Sequence, residues 1–169
     1  MRMRLSSVIT IDADGSPSGH IAWYNHMNNL SRIRALKPLA KNDRYGVQRM
    51  EMLAIYFALA DNQRHIRLLP EGRRKKKCLV VNIRSDSKTS VEQLQGISEV
   101  RDPLMRRICN TIRRLLDRSA GCCHMVVFNH LCRAKNIAGL LLKQRRRKEE
   151  ERRVAHLYEK TFLCRISAA

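Results

Sequence analysis

The chain is expected to fold as an α/β domain, one mixed β-sheet with helices on its faces. Three observations carry this. Short apolar, β-branched runs alternate with stretches of helical periodicity in the order β-β-β-α-β-α-α-β-α. The first three strands follow one another across polar segments, as in an antiparallel meander, whereas the later strands are separated by helices, as in parallel crossovers. With 169 residues, 44% hydrophobic and 29% charged, the chain has the profile of one globular domain that can bury a core.

The elements follow in order. "VITID" (8–12) reads as a strand, and "ADGSPSG" (13–19), dense in Gly, Pro and Ser, as a hairpin turn. "HIAWYNH" (20–26) returns as the second strand. "LSRIRALKPL" (30–39) is the third, with Pro38 placing its end at an edge or in a loop. After the polar loop "AKNDRYG", Met50, Leu53, Ala54 and Phe57 fall on one face of a helix over 47–60. "PEGRRKKK" is a turn with a basic run, and "CLVVNIRSD" (78–86) is apolar enough to be a strand buried on both faces. "SKTSVEQLQG" is a short helix with Ser87 or Ser90 as cap and Gly96 as its stop. Leu104, Ile108, Ile112 and Leu115 keep helical register over about 102–118. "CCHMVVFNH" (122–130) is the fifth strand, and "RAKNIAGLLLKQ" opens a last helix. That helix can continue into a charged stretch where Arg145/Glu149, Arg146/Glu150 and Arg147/Glu151 are spaced i,i+4. The composition shifts near Lys143, so the expected division is a core domain over 1–142 and a basic, helical extension over 143–169.

Charge narrows the function. Lys and Arg number 34 against 15 Asp and Glu, a formal net charge of +19 that attracts polyanions, nucleic acid first. No apolar run is long enough to span a bilayer, and "MRMRLSSVITIDADG" is not a convincing signal peptide. The six cysteines form no CxxC pair and read as reduced thiols, so a cytoplasmic protein is expected, with no obligate protein partner evident.

Against this basic background three acids sit where solvated acids usually do not. Asp12 ends the first strand, Glu51 borders the apolar face of the first long helix, and Asp86 ends the fourth strand. The first and fourth strands can be neighbours in such a sheet, which would let the three carboxylates converge at one edge. Clustered carboxylate oxygens suit Mg²⁺ or Mn²⁺, hard cations that also bind phosphates. Each acid alone is more simply a cap or an arginine partner; the coincidence of three favours a site.

The same residues carry a family resemblance. "QRMEMLA" (48–54) resembles the helix-opening motif of type 1 ribonuclease H, and "IRSDSKTSVEQLQG" (83–96) its next motif, a strand end leading into a helix and a glycine. "IDADGSPSG" offers both forms of that family's first motif, Asp-Ala-Ser-like at Asp12 and Asp-Gly-Ser at Asp14. The resemblance covers residues 7 to 142. It implies strand order 3-2-1-4-5, three antiparallel strands then two parallel, and a site holding two Mg²⁺ or Mn²⁺ ions. Glu51 and Asp86 carry over directly. For the first acid Asp12 is favoured, because it leaves a cleaner apolar strand before it, and Asp14 is kept; alternation puts both on one face.

Other implied residues follow by position. Gln48 would meet a substrate 2′-OH or cap the helix, and Arg49, Ser87 and Lys88 would line the substrate. His130 matches the family's loop histidine in its spacing from Asn136. The fourth acid of the family is missing: Gly139 or Leu140 stands in its place, and Asn136 offers a neutral oxygen. "RRKKK" (73–77) and the Lys143–Arg153 stretch would meet phosphates, or be solvated surface. The implied activity is metal-dependent hydrolysis of the RNA strand of an RNA–DNA hybrid, or of double-stranded RNA. The alternatives are a fold-retaining nucleic-acid-binding module with weakened catalysis, and a related nuclease or integrase core on the same sheet.

Overall fold

The computed structural model describes residues 5–36, 45–68, 78–119 and 124–166. Five strands, β1 (Leu5–Gly15), β2 (His20–Asn25), β3 (Leu30–Ala35), β4 (Cys78–Ser85) and β5 (His124–His130), form one sheet in the order β3-β2-β1-β4-β5. The β1/β2 and β2/β3 pairs are antiparallel, and the β1/β4 and β4/β5 pairs are parallel. The helices are α1 (Gly46–Leu68), α2 (Lys88–Gln95), α3 (Pro103–Ser119) and α4 (Ile137–Ile166), the last preceded by a 3-10 turn at Arg133–Lys135. Element order and sheet order are those expected. The "RRKKK" run lies outside the described residues.

Strand β1 is longer than expected and runs through Asp12 and Asp14 to Gly15. The β1–β2 turn is correspondingly tight: Ser16 N–H donates to His20 C=O at 2.7 Å, and Gly19 takes φ 85°, a conformation easy only for glycine. Helix α1 is buried on more than the single stripe expected of it. Met50, Ala54 and Ala58 are buried, and so are Met52, Ile55 and Leu59, because α1 packs against both the sheet and α3. Polar ties fix its position: Trp23 Nε1 donates to Asp61 at 2.8 Å, and Asn25 Nδ2 to Asn62 Oδ1 at 2.8 Å. Helix α2 is capped by Ser87 and stopped by Gly96 at φ 78°, which settles the choice of cap.

Helix α4 lies on β1, β2 and β3, with Ala138 and Leu142 packed against Ala22 and Ile33. It then continues unbroken through the composition shift at Lys143. Two of the three i,i+4 pairs form there, Arg145–Glu149 at 2.7 Å and Arg147–Glu151 at 3.1 Å. No helix among the described residues is long and apolar enough to cross a membrane.

Candidate metal centre

Register builds the site. The parallel β1/β4 ladder pairs Ile11 with Ile83, Asp12 with Arg84 and Ala13 with Ser85. The next residues, Asp14 and Asp86, therefore stand side by side at the carboxyl ends of two central strands. Glu51 arrives from the second turn of α1, and Gly15 N–H donates to its Oε2 at 3.1 Å. Glycine is required at position 15, since a Cβ would stand 2.4 Å from the Met50 carbonyl carbon and 2.5 Å from Glu51 N. The α1 backbone thus closes on β1 only because no side chain intervenes. One oxygen from each of Asp14, Glu51 and Asp86 lies within 4.8 Å of the other two, and all three residues are half-buried.

Three carboxylates this close repel one another unless a cation or protons neutralise them. Burial, then the charge of Asp86 and a hydrogen bond with it, push the Asp14 carboxyl up to about 7. Burial and the charges of Asp14 and Asp86 push Glu51 up to about 9. Both folded-state values stand above the ordinary ones, 3.8 and 4.5. The stability they contribute is therefore present at low pH and lost as pH rises through the folded-state values. Metal-free protein should melt progressively lower from about pH 5 to about pH 9. A divalent cation bound at the cluster would take the place of the protons, so the gain in melting temperature on adding Mg²⁺ or Mn²⁺ should grow with pH. Thermal melts in chelator and in metal across that range check this; a metal-induced gain of constant size would count against a carboxylate site.

The structure corrects the choice of first acid. Asp12 is fully buried but outside the cluster. Its Oδ1 accepts from Arg84 Nε at 2.7 Å, and its Oδ2 accepts from Ile137 N at 3.1 Å and lies 2.9 Å from His26 Nε2. The β1/β4 register sets Asp12 beside an arginine and Asp14 beside Asp86. Asp12 is a tie between β1, β4 and the start of α4, and Asp14 is the acid of the cluster.

Asn136, fully buried just before α4, reaches the cluster through its amide. Nδ2 donates to Asp86 Oδ1 at 3.0 Å and to Ala13 C=O at 3.1 Å. Its Oδ1 is buried without a hydrogen-bond partner among the described residues. An orphaned buried oxygen costs stability unless something fills its coordination, and an oxygen-only donor set fits a hard cation. Of the two positions considered for the missing fourth acid, Gly139 borders the cluster: a Cβ there would lie 3.0 Å from Asp14 Oδ2. Leu140 is 43% exposed and outside the core.

The remaining expected residues separate. Arg49 does not line the site. Its Nε and Nη2 bond Asp102 at 2.9 and 2.5 Å, while Asp102 also accepts from Met105 N at the start of α3. The Arg49 hydrogen bonds hold the Asp102 carboxyl below its usual range. The guanidinium therefore locks α1 to α3 and is not free for substrate. Ser87 spends its hydroxyl on capping α2, accepting from Ser90 N and lying 2.8 Å from Ser90 Oγ. Lys88 is exposed, 3.6 Å from Glu92. Gln48 stands one helical turn before Glu51 on the same side of α1, partly exposed. His130 is exposed at the end of β5, in register with Ser85. Gly15, Arg84 and His26 were not singled out in the sequence; only the glycine left a signal there, in the Asp-Gly pair.

Comparison with known proteins rests on structure. No protein-family model matches the sequence, and no curated relative matches it significantly. Among solved structures, the chain is similar to RNase H1 from the halophilic archaeon Halobacterium salinarum NRC-1. The TM-score is 0.58 and the identity 19%, over 78% of this chain and 90% of that one. The N-terminal RNase H domain of Rv2228c from Mycobacterium tuberculosis, solved as a maltose-binding-protein fusion, gives 0.58 and 16%, over 78% and 92%. LC11-RNase H1, solved in complex with an RNA/DNA hybrid, gives 0.53 and 19%, over 76% and 87%. The fold is therefore the RNase H-like fold.

Proposed function

We propose that this protein is a metal-dependent endoribonuclease that hydrolyses the RNA strand of RNA–DNA hybrids, with double-stranded RNA as a further substrate. The convergence of Asp14, Glu51 and Asp86 at the carboxyl ends of β1 and β4 carries this reading. It is supported by the fold, by the net charge of +19 and by a structural neighbour solved with a hybrid.

In this reading Asp14, Glu51 and Asp86, with the amide oxygen of Asn136, hold two Mg²⁺ or Mn²⁺ ions. Bound metal supplies an activated water and charge stabilisation for the leaving 3′ oxygen. The chain does the rest. Gly15 N–H orients Glu51, and the Asn136 amide orients Asp86. Gln48 hydrogen-bonds a ribose 2′-OH, the group that distinguishes RNA from DNA. Lys88 turns to a phosphate, since an exposed pair like its contact with Glu92 is worth under about 1 kcal/mol. His130, exposed at the neighbouring strand end, carries a proton on its ring nitrogen to the leaving oxygen. The residues over 143–169 form a basic extension of the nuclease domain, and the protein works in the cytoplasm.

A second reading is a nucleic-acid-binding module with weakened catalysis. The observation favouring it is the neutral amide at 136, with glycine and leucine at 139 and 140, in place of a fourth carboxylate. Incubating a labelled RNA–DNA hybrid with the full chain in Mg²⁺, in Mn²⁺ and in chelator separates them. The nuclease cuts the RNA strand with either metal and not in chelator. Tight binding without cleavage in both metals would establish the module instead.

A further inference from the structure

A cleft of about 710 Å³ begins at Asp14 and leads away from the acidic cluster. One wall is the end of β1 and the β1–β2 turn, including Ser16, Pro17 and Ser18; the other is the start of α4, including Gly139, Lys143 and Arg146. The lining is chemically sorted. Lys143 and Arg146 are exposed and have no acidic partner among the described residues, unlike Arg145, which is held by Glu149 at 2.7 Å. The hydroxyls of Ser16 and Ser18, 2.8 Å apart, line the facing turn. Leu140, 43% exposed, gives the cleft an apolar surface. Gly139 keeps the passage open where the cleft meets the cluster, because any Cβ there would stand 3.0 Å from Asp14 Oδ2.

Cations for phosphates, hydroxyls for sugar oxygens and an apolar surface for a base are the needs of a polynucleotide strand. The volume lies within the roughly 300–1,000 Å³ of small-ligand pockets, too small for a duplex but suited to a short run of one strand. We propose that this cleft holds a single strand continuing from the phosphate bound at the acidic cluster, so that the protein prefers hybrids bearing a single-stranded extension. This rests on the nuclease reading for the position of that phosphate.

The test measures binding of fluorescent hybrids by anisotropy, using the full chain carrying Asp86→Asn so that nothing is cut. A blunt hybrid is compared with the same hybrid extended by a few nucleotides of RNA or of DNA, at the 3′ or the 5′ end. One extension should tighten binding about tenfold, equivalent to about 1.4 kcal/mol. RNA and DNA extensions share the phosphates, and a larger gain with RNA would assign the serine hydroxyls to the 2′-OH. Lys143→Gln with Arg146→Gln should remove the gain and lower the salt slope for the extended substrate by about 1.4, at about 0.7 per contact on a single strand. Blunt hybrids that bind while no extension gains twofold would overturn the cleft alone. A gain that survives the double substitution, in protein with an unchanged melting temperature, would also overturn it. Failure to bind any hybrid would overturn the nuclease reading with it.

Discussion

Asp86→Asn should abolish cleavage of the hybrid and leave the protein folded. Asp86 shares one cluster with Asp14 and Glu51, so its charge bears on every cation held there. The amide is nearly isosteric, and its oxygen can still accept from Asn136 Nδ2, which now donates to Asp86 Oδ1 at 3.0 Å. What disappears is the negative charge. Losing about 4 kcal/mol of transition-state stabilisation at 1.36 kcal/mol per decade lowers the rate about a thousandfold. The metal-free variant should melt at or above the wild-type temperature, because the carboxylate that opposes ionisation of Asp14 and Glu51 has gone. Its melting temperature should rise less with Mg²⁺ than the wild type's, because Asp14 and Glu51 alone hold the ion more weakly. Initial rates on a labelled hybrid, with melts in chelator and in metal, decide the matter. Wild-type turnover would remove Asp86 from the site, and a collapse in stability would make its carboxylate structural.

The opposite pattern is expected two residues before the acid of the cluster. Asp12→Asn should destabilise the fold first and affect chemistry only through that loss. Asp12 is fully buried, and its two oxygens meet Arg84 Nε, Ile137 N and His26 Nε2. An asparagine has one acceptor oxygen, so its amide N–H must face Arg84 or the other two groups, setting donor against donor. Breaking a buried ion pair costs about 3–5 kcal/mol, and the low end applies because Arg84 stays partly solvated. At roughly 2–4 °C per kcal/mol for a chain of this size, melting should fall by about 6–12 °C. Metal should still raise the melting temperature of whatever remains folded, since Asp14, Glu51 and Asp86 are untouched. Paired melts of the two variants, with and without Mg²⁺, distinguish tie from ligand. If Asp12→Asn melts like wild type but loses its response to metal, the assignment of Asp12 and Asp14 is reversed.

That pair of aspartates marks the line between what was legible in the chain and what was not. The β1/β4 pairing was implied by the family resemblance, and the choice of Ser87 over Ser90 as cap came with the structure. The order of elements, the meander of the first three strands and the Gly96 stop follow from periodicity and turn chemistry, which act over a few residues. Glu51 and Asp86 were legible for the same reason, as acids at the edge of an apolar pattern. The choice between Asp12 and Asp14 was not, because alternation puts both on one face and the apolar rule favours the wrong one. A strand tolerates a buried acid when its neighbour in the ladder is an arginine, and only the pairing of Asp12 with Arg84 reveals that. Arg49 is the mirror case: beside a site residue in sequence, it is turned through the helix toward Asp102, 53 residues away. Asn136 likewise reaches Asp86 across 50 residues and Ala13 across 123. The sequence by itself determined the kinds of element, their order and an acid-bearing sheet edge, all consequences of local physics. Which acids meet, which arginine is consumed and where a cleft opens beside them depend on register and helix packing, because those bring together groups that the chain keeps far apart.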